Sequence, residues 1–142
     1  MKTDLSIAKE LLLSKNYTCV LCKDDKVHIS KERGVKPLLD WFDKKADLKN
    51  FSAADKVVGK GAAFLYTLLG VKEIYACVIS ESAKEVLEKF GIRVYFDECV
   101  KAILNRSKTG FCPIETSVKN IDEPEKAVPI IRETLFSLNK KD

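Results

Sequence analysis

Ile74-Tyr75-Ala76-Cys77-Val78-Ile79 is an unbroken apolar run. Runs of this length without polar alternation read as a strand covered on both faces, and this one is expected to be the central strand of the sheet. Downstream, Ser82 with Glu85 reads as a capping box, Val86, Leu87 and Phe90 form an apolar stripe, and Gly91 stands where a helix ends in the left-handed region. Ile92 to Phe96 follows as the next strand, parallel to the first through a right-handed crossover. Upstream, Val57 to Leu69 is apolar on nearly every side and opens with Gly59, Gly61, Ala62 and Ala63, which predicts a buried helix entered from a strand end at Asn50 to Ala54.

Further out, Leu5, Ala8, Leu11 and Leu12 repeat at helical spacing after a capping Asp4, with an end near Asn16. Tyr17–Leu21 and Lys26–Ser30, separated by the polar turn Lys23, Asp24, Asp25, predict a β-hairpin with Val27 and Ile29 facing inward. Gly34 and Pro37 break the pattern before a short helix carrying Leu38, Leu39 and Phe42, with Trp41 as core or packing lid. Glu98 to Ser107 reads as helical, Ser107 to Gly110 as a polar loop, and Pro113 as the first residue of a new turn. Asp122 and Pro124 open a last helix with Ile130, Ile131, Leu135 and Leu138 on one stripe, where Pro129 calls for a kink or a later start.

The 142 residues fit a single domain spanning 1–142, with 46% hydrophobic and 32% charged residues in globular proportion. Its 25 basic and 21 acidic side chains are interspersed, so the net charge of +4 reads as a solvated surface and argues against nucleic acid as the main partner. The longest apolar runs, such as Ala62 to Leu69, fall short of the roughly 20 residues a membrane span needs. Five cysteines, an odd number, follow a charged amphipathic start and no apolar leader, which places the chain in a reducing compartment, the cytoplasm. Cys19-Val20-Leu21-Cys22 is the one Cys-x-x-Cys; on a strand its thiols point to opposite faces and cannot share a metal without a bulge, although the sole histidine, His28, lies beyond the turn within reach of one of them.

The segments Glu32-Arg33-Gly34-Val35-Lys36-Pro37, Ala54 to Lys60, Val78-Ile79-Ser80-Glu81, and Asn105-Arg106 through Thr109 to Glu115, resemble a small prokaryotic family with the cytidine-deaminase-like fold and no assigned activity. The likeness covers nearly the whole chain. It implies a three-layer α/β/α domain, a mixed sheet with an N-terminal hairpin and parallel βαβ units. Zinc deaminases of that fold need a His or Cys ligand beside a proton-shuttling Glu, then two thiolates from a Pro-Cys-x-x-Cys turn. The first motif falls on Asp55 to Gly61 and the second on Ile79 to Ser82; neither stretch carries His or Cys. No metal and no cofactor is expected.

Candidate sites follow from what stands there instead. Asp55, Lys56, Gly59 and Lys60 precede the buried helix, where free N–H groups and the helix dipole favour an anion such as a nucleotide phosphate. The bland alternative is that Gly59 and Gly61 allow close helix-to-sheet packing and that Asp55 is a cap. Ser80 and Glu81 end the strand at 74–79, where open α/β sheets expose ligand sites. Arg33 and Lys36 flank a glycine turn and could steer a phosphate or carboxylate, or simply be solvated. Cys112, before Pro113 and near Arg106 and Lys108, is a candidate thiolate nucleophile or redox thiol, with Asp55, Lys60 or Glu81 as an accompanying acid or base. The expected function is binding of a nucleotide-like or other anionic small molecule. A Cys112-dependent, metal-independent enzyme and a protein-interaction or homo-oligomeric scaffold are the alternatives.

Overall fold

The computed structural model describes residues 2–105 and 107–139. The first apolar repeat forms α1 (Asp4–Ser14), capped by Thr3, whose Oγ1 accepts the Ser6 N–H at 3.1 Å; Asp4, expected as the cap, is the first helical residue. The hairpin is present as β1 (Cys19–Lys23) and β2 (Lys26–Ser30). Its outer strand faces the opposite way from the expectation: Val27 and Ile29 are 48% and 46% exposed. His28 turns inward, edge-on to Trp41 and Phe51 at 5.9 and 5.6 Å between ring centres. An imidazole thus fills a place that an alternation rule assigns to aliphatics. Trp41 belongs to α2 (Lys36–Asp43) and packs half-buried against the core.

The long apolar run beginning at Val57 divides in two. β3 (Ser52–Val58) takes its first residues, well past the expected strand end at Ala54, and α3 (Lys60–Leu69) starts only after Gly59 in extended conformation. Asp55 is therefore a strand residue and caps no helix. α3 is buried nearly all round, and Phe64, Leu65 and Tyr66 are fully enclosed; burying such a side chain is worth about 1.5–3 kcal/mol. Gly70, with φ 81°, ends the helix in the left-handed region.

β4 (Glu73–Ser80) leads into α4 (Glu81–Lys89), and β5 (Arg93–Val100) follows. The cap of α4 is Ser80, whose Oγ accepts the Ala83 N–H at 3.2 Å, so the expected capping box at Ser82 lies two residues too late. Gly91, at φ 79°, takes the left-handed position as expected. The expected helix over Glu98–Ser107 is absent among the described residues: β5 runs through Val100, and a bridge between Leu104 and Phe111 closes the loop after it. α5 (Pro113–Ser117) starts at Pro113, and α6 (Pro124–Asn139) runs on through Pro129 from Pro124, without the later start.

The five strands form one mixed sheet in the order β2-β1-β3-β4-β5. β1 is antiparallel to both neighbours, whereas β3, β4 and β5 are parallel. The expected central strand, β4, is interior but stands one place off centre; β3 is the middle strand. α1 covers one face through Ala8 and Leu12 against Val20, Cys22, Ala54 and Tyr75. Side chains of the remaining helices cover the other face with Cys19, Leu21, Ala53 and Ile74. Cys19 and Cys22 thus lie on opposite faces. Both parallel ladders skip one step, at Lys56–Cys77 and Cys77–Asp97. Asp55 Oδ1 accepts the Val57 N–H at 3.3 Å there, a local bond of the kind that competes with ladder pairing. As a result Asp55 and Val58, three apart, both side with α3.

Candidate functional site

β3 and β4 are parallel and each runs straight into a helix, so α3 and α4 begin together at the carboxyl ends of their strands, where open α/β sheets gather their sites. The first N–H groups of a helix have no partner within it and must find one. Here the partner is Glu115, carried in by α5. Its Oε2 accepts the Lys60 N–H of α3 at 2.8 Å and the Ser80 hydroxyl at 2.5 Å, with Ser82 Oγ at 3.4 Å; Oε1 accepts the Ile103 N–H at 2.8 Å. Glu115 is 9% exposed and Ser80 fully buried.

The neighbouring glycines are shaped to this arrangement. A Cβ on Gly59 would stand 3.2 Å from Glu115 Oε2, and one on Gly61 only 2.5 Å from Ile114 Cγ2. The small residues therefore admit α5 against α3, a helix-to-helix approach where helix-to-sheet packing was expected.

A second polar group joins β3, α3 and β1. Asp55 Oδ2 accepts the Tyr66 hydroxyl at 2.6 Å, and Tyr66 Oη lies 3.0 Å from Cys19 Sγ. Burial raises the Asp55 pKa to about 7 against the opposing hydrogen bonds from Tyr66, Val57 and Lys56. Burial, then the adjacent Asp55 charge, also pushes Cys19 and Tyr66 upward.

Outside the Glu115 contacts, a cleft of about 130 Å³ is lined by Lys60, Ser82, Glu85, Val86, Lys89, Phe90, Ile121 and Asp122. That is below the roughly 300–1,000 Å³ of ordinary small-molecule pockets. Lys60 reaches over the Phe64 ring and donates from Nζ to the Lys119 carbonyl at 2.8 Å.

The anticipated residues are distributed unevenly around this centre. Gly59, Lys60 and Ser80 meet at Glu115. Asp55 faces Tyr66 instead, and Lys56 gives its N–H to the Thr18 carbonyl. Glu81 is exposed on the first turn of α4. Arg33 and Lys36 are exposed and do not line the cleft; Lys36 pairs with Asp40 at 3.1 Å and Glu32 at 4.0 Å. Cys112 is the residue before α5, half-buried against the core and not among the cleft-lining residues. Arg106 lies outside the described residues. Glu115, Tyr66 and Cys19 were not anticipated. Glu115 reads locally as an ordinary first-turn acid after Pro113, and Tyr66 as one more member of an apolar helix.

A metal does not fit this arrangement. The Glu115 oxygens are taken by N–H and hydroxyl donors, and among the described residues no group of three or more His, Cys, Asp or Glu side chains is placed to hold an ion. Among the described residues no helix is long and apolar enough to cross a membrane.

A family model described as TM1506, domain of unknown function (DUF1893), matches residues 7–135. A crystal structure of a DUF1893 family protein (TM1506) from Thermotoga maritima superposes with a TM-score of 0.83 at 28% identity, covering 96% of this chain and 92% of that one. None of the curated proteins matches.

Proposed function

The chain belongs to the DUF1893 family, and on that premise we propose that it is a cytidine-deaminase-like domain that binds instead of hydrolysing, with a nucleotide-like or other anionic small molecule as its ligand. Support for that fold comes from two parallel strands feeding two helices whose N-termini share one polar centre. On this reading Glu115 would stand in for the metal and water of a deaminase, and the inner position would offer no activated nucleophile. The ligand's charged head would sit outside it, in the cleft between Lys60 and Lys89, beside Ser82. This cleft is the observation that carries the reading. Its size suits a phosphate or carboxylate group, leaving the rest of the molecule over the surface. The free cysteines among the described residues fit a reducing, cytoplasmic setting. No catalytic role is assigned to Cys112, which is absent from the cleft lining.

Thermal melts with nucleoside mono-, di- and triphosphates and with inorganic phosphate test this. A saturable rise in Tm that Lys60→Ala and Lys89→Ala abolish is expected. Stabilisation by none of these anions, or by all of them equally in both variants, contradicts it.

A further inference from the structure

The sheet ends differently on its two sides. β2 is five residues long and carries Lys26 and Lys31 at and beyond its ends, the usual protection of an edge strand. β5 is eight residues long, has no strand on its outer side among the described residues, and holds Tyr95 and Phe96 at 45% and 39% exposure. No lysine or proline interrupts Arg93–Val100. An open groove of about 400 Å³ runs along its first half, lined by Glu88, Gly91, Ile92, Arg93, Val94 and Tyr95. A long strand whose outer backbone groups have no partner strand is a template for another strand.

Independently of the anion reading, we infer that β5 is the dimerisation edge of this protein, pairing antiparallel with β5 of a second copy about a twofold axis at Tyr95. The two faces of the strand are known from its contacts. Asp97 accepts the Tyr75 hydroxyl on the α1 side, and Phe96 lies under Lys84 on the α4 side. A twofold axis perpendicular to the sheet preserves faces, so facing residues must share a side. Placing the axis at Tyr95 sets Arg93 against the second copy's Asp97, twice, and Val94 against its Phe96. Moving it to Phe96 leaves Arg93 facing a cysteine. Moving it to Asp97 sets Asp97 on Asp97 and Arg93 against Lys101, which like-charge repulsion disfavours. Arg93 has no ion pair within the chain among the described residues, and Asp97 has Oδ1 to offer beyond its Tyr75 bond. Charge complementarity thus selects one occupant and one register.

Sedimentation velocity of the full chain over a range of micromolar concentrations should show twice the chain mass. Arg93→Asp or Asp97→Arg should each weaken the dimer by at least about tenfold, because two attractive pairs become repulsive, and the double exchange Arg93→Asp/Asp97→Arg should restore it. Should the single variants fold poorly by circular dichroism, Tyr95→Cys in a Cys99→Ser background reads the same axis. Facing Cα atoms about 5 Å apart fall within disulfide reach, so mild oxidation should join the two copies. A wild-type monomer, a dimer indifferent to both reversals, or no crosslink through position 95 overturns the inference.

Discussion

Two acidic side chains enter the α3 side of the sheet, and they are held by different kinds of donor. Glu115 receives backbone N–H groups from two separate segments and a buried serine hydroxyl, using both oxygens. Asp55 receives one phenol on Oδ2 and the Val57 N–H on Oδ1, and its pKa is raised to about 7 by burial. The first carboxylate answers a need that already exists, since helix starts leave N–H groups without partners. The second creates a need, because it brings a charge into a place that resists it. The same functional group thus anchors one region and loads the other.

Breaking the anchor should have the largest effect. Glu115→Gln keeps the shape but turns an amide NH₂ toward N–H and hydroxyl donors, and should cost about 2–4 kcal/mol, read as a lower urea midpoint with the slope unchanged. At Asp55 the effect should depend on pH. The folded pKa lies above the ordinary carboxylate value of about 4, so between about pH 4 and 7 the folded state holds a proton that the unfolded chain has released. Stability therefore falls as pH rises through that window, and the penalty is complete above it. Asp55→Asn should remove the slope, shifting its stability relative to wild type by on the order of 2 to 3 kcal/mol in the variant's favour between pH 4 and 8. Parallel stability curves for the two proteins would contradict this. Gly61→Ala should have the smallest effect, about 1–3 kcal/mol, by driving Ile114 away from α3 and loosening the turn that delivers Glu115. Amide exchange at Lys60 and Ile103 should quicken in that variant.

Where local pattern and tertiary role coincide, the architecture could be read in advance. The run at 74–79 is a strand, Gly91 ends its helix in the left-handed region, and Pro113 starts a turn. Val57 and Val58 are indistinguishable by pattern from the helix that follows, because a strand end and a buried helix are both apolar and only Gly59 separates them. Glu98 to Val100 lacks alternation because an edge strand exposed on both sides has no dry face to mark. Alternation alone points Val27 and Ile29 inward, whereas His28 supplies the ring that packs edge-on to Trp41 and Phe51. At the site, Gly59 and Lys60 stand out at a helix start and Ser80 at a strand end, each from its local position. Their partner was not: Glu115 stands 55 residues from Lys60, and long-range pairing leaves no local trace.

Glu115 acts as a built-in substitute for a bound anion at the starts of α3 and α4. Thermal melting of Glu115→Ala against wild type, titrated with acetate and matched in ionic strength with chloride, tests it most directly. A saturable rise in Tm is expected for the variant alone, as acetate occupies the vacated carboxylate position. An equal response in the two proteins, or none in the variant, would contradict it.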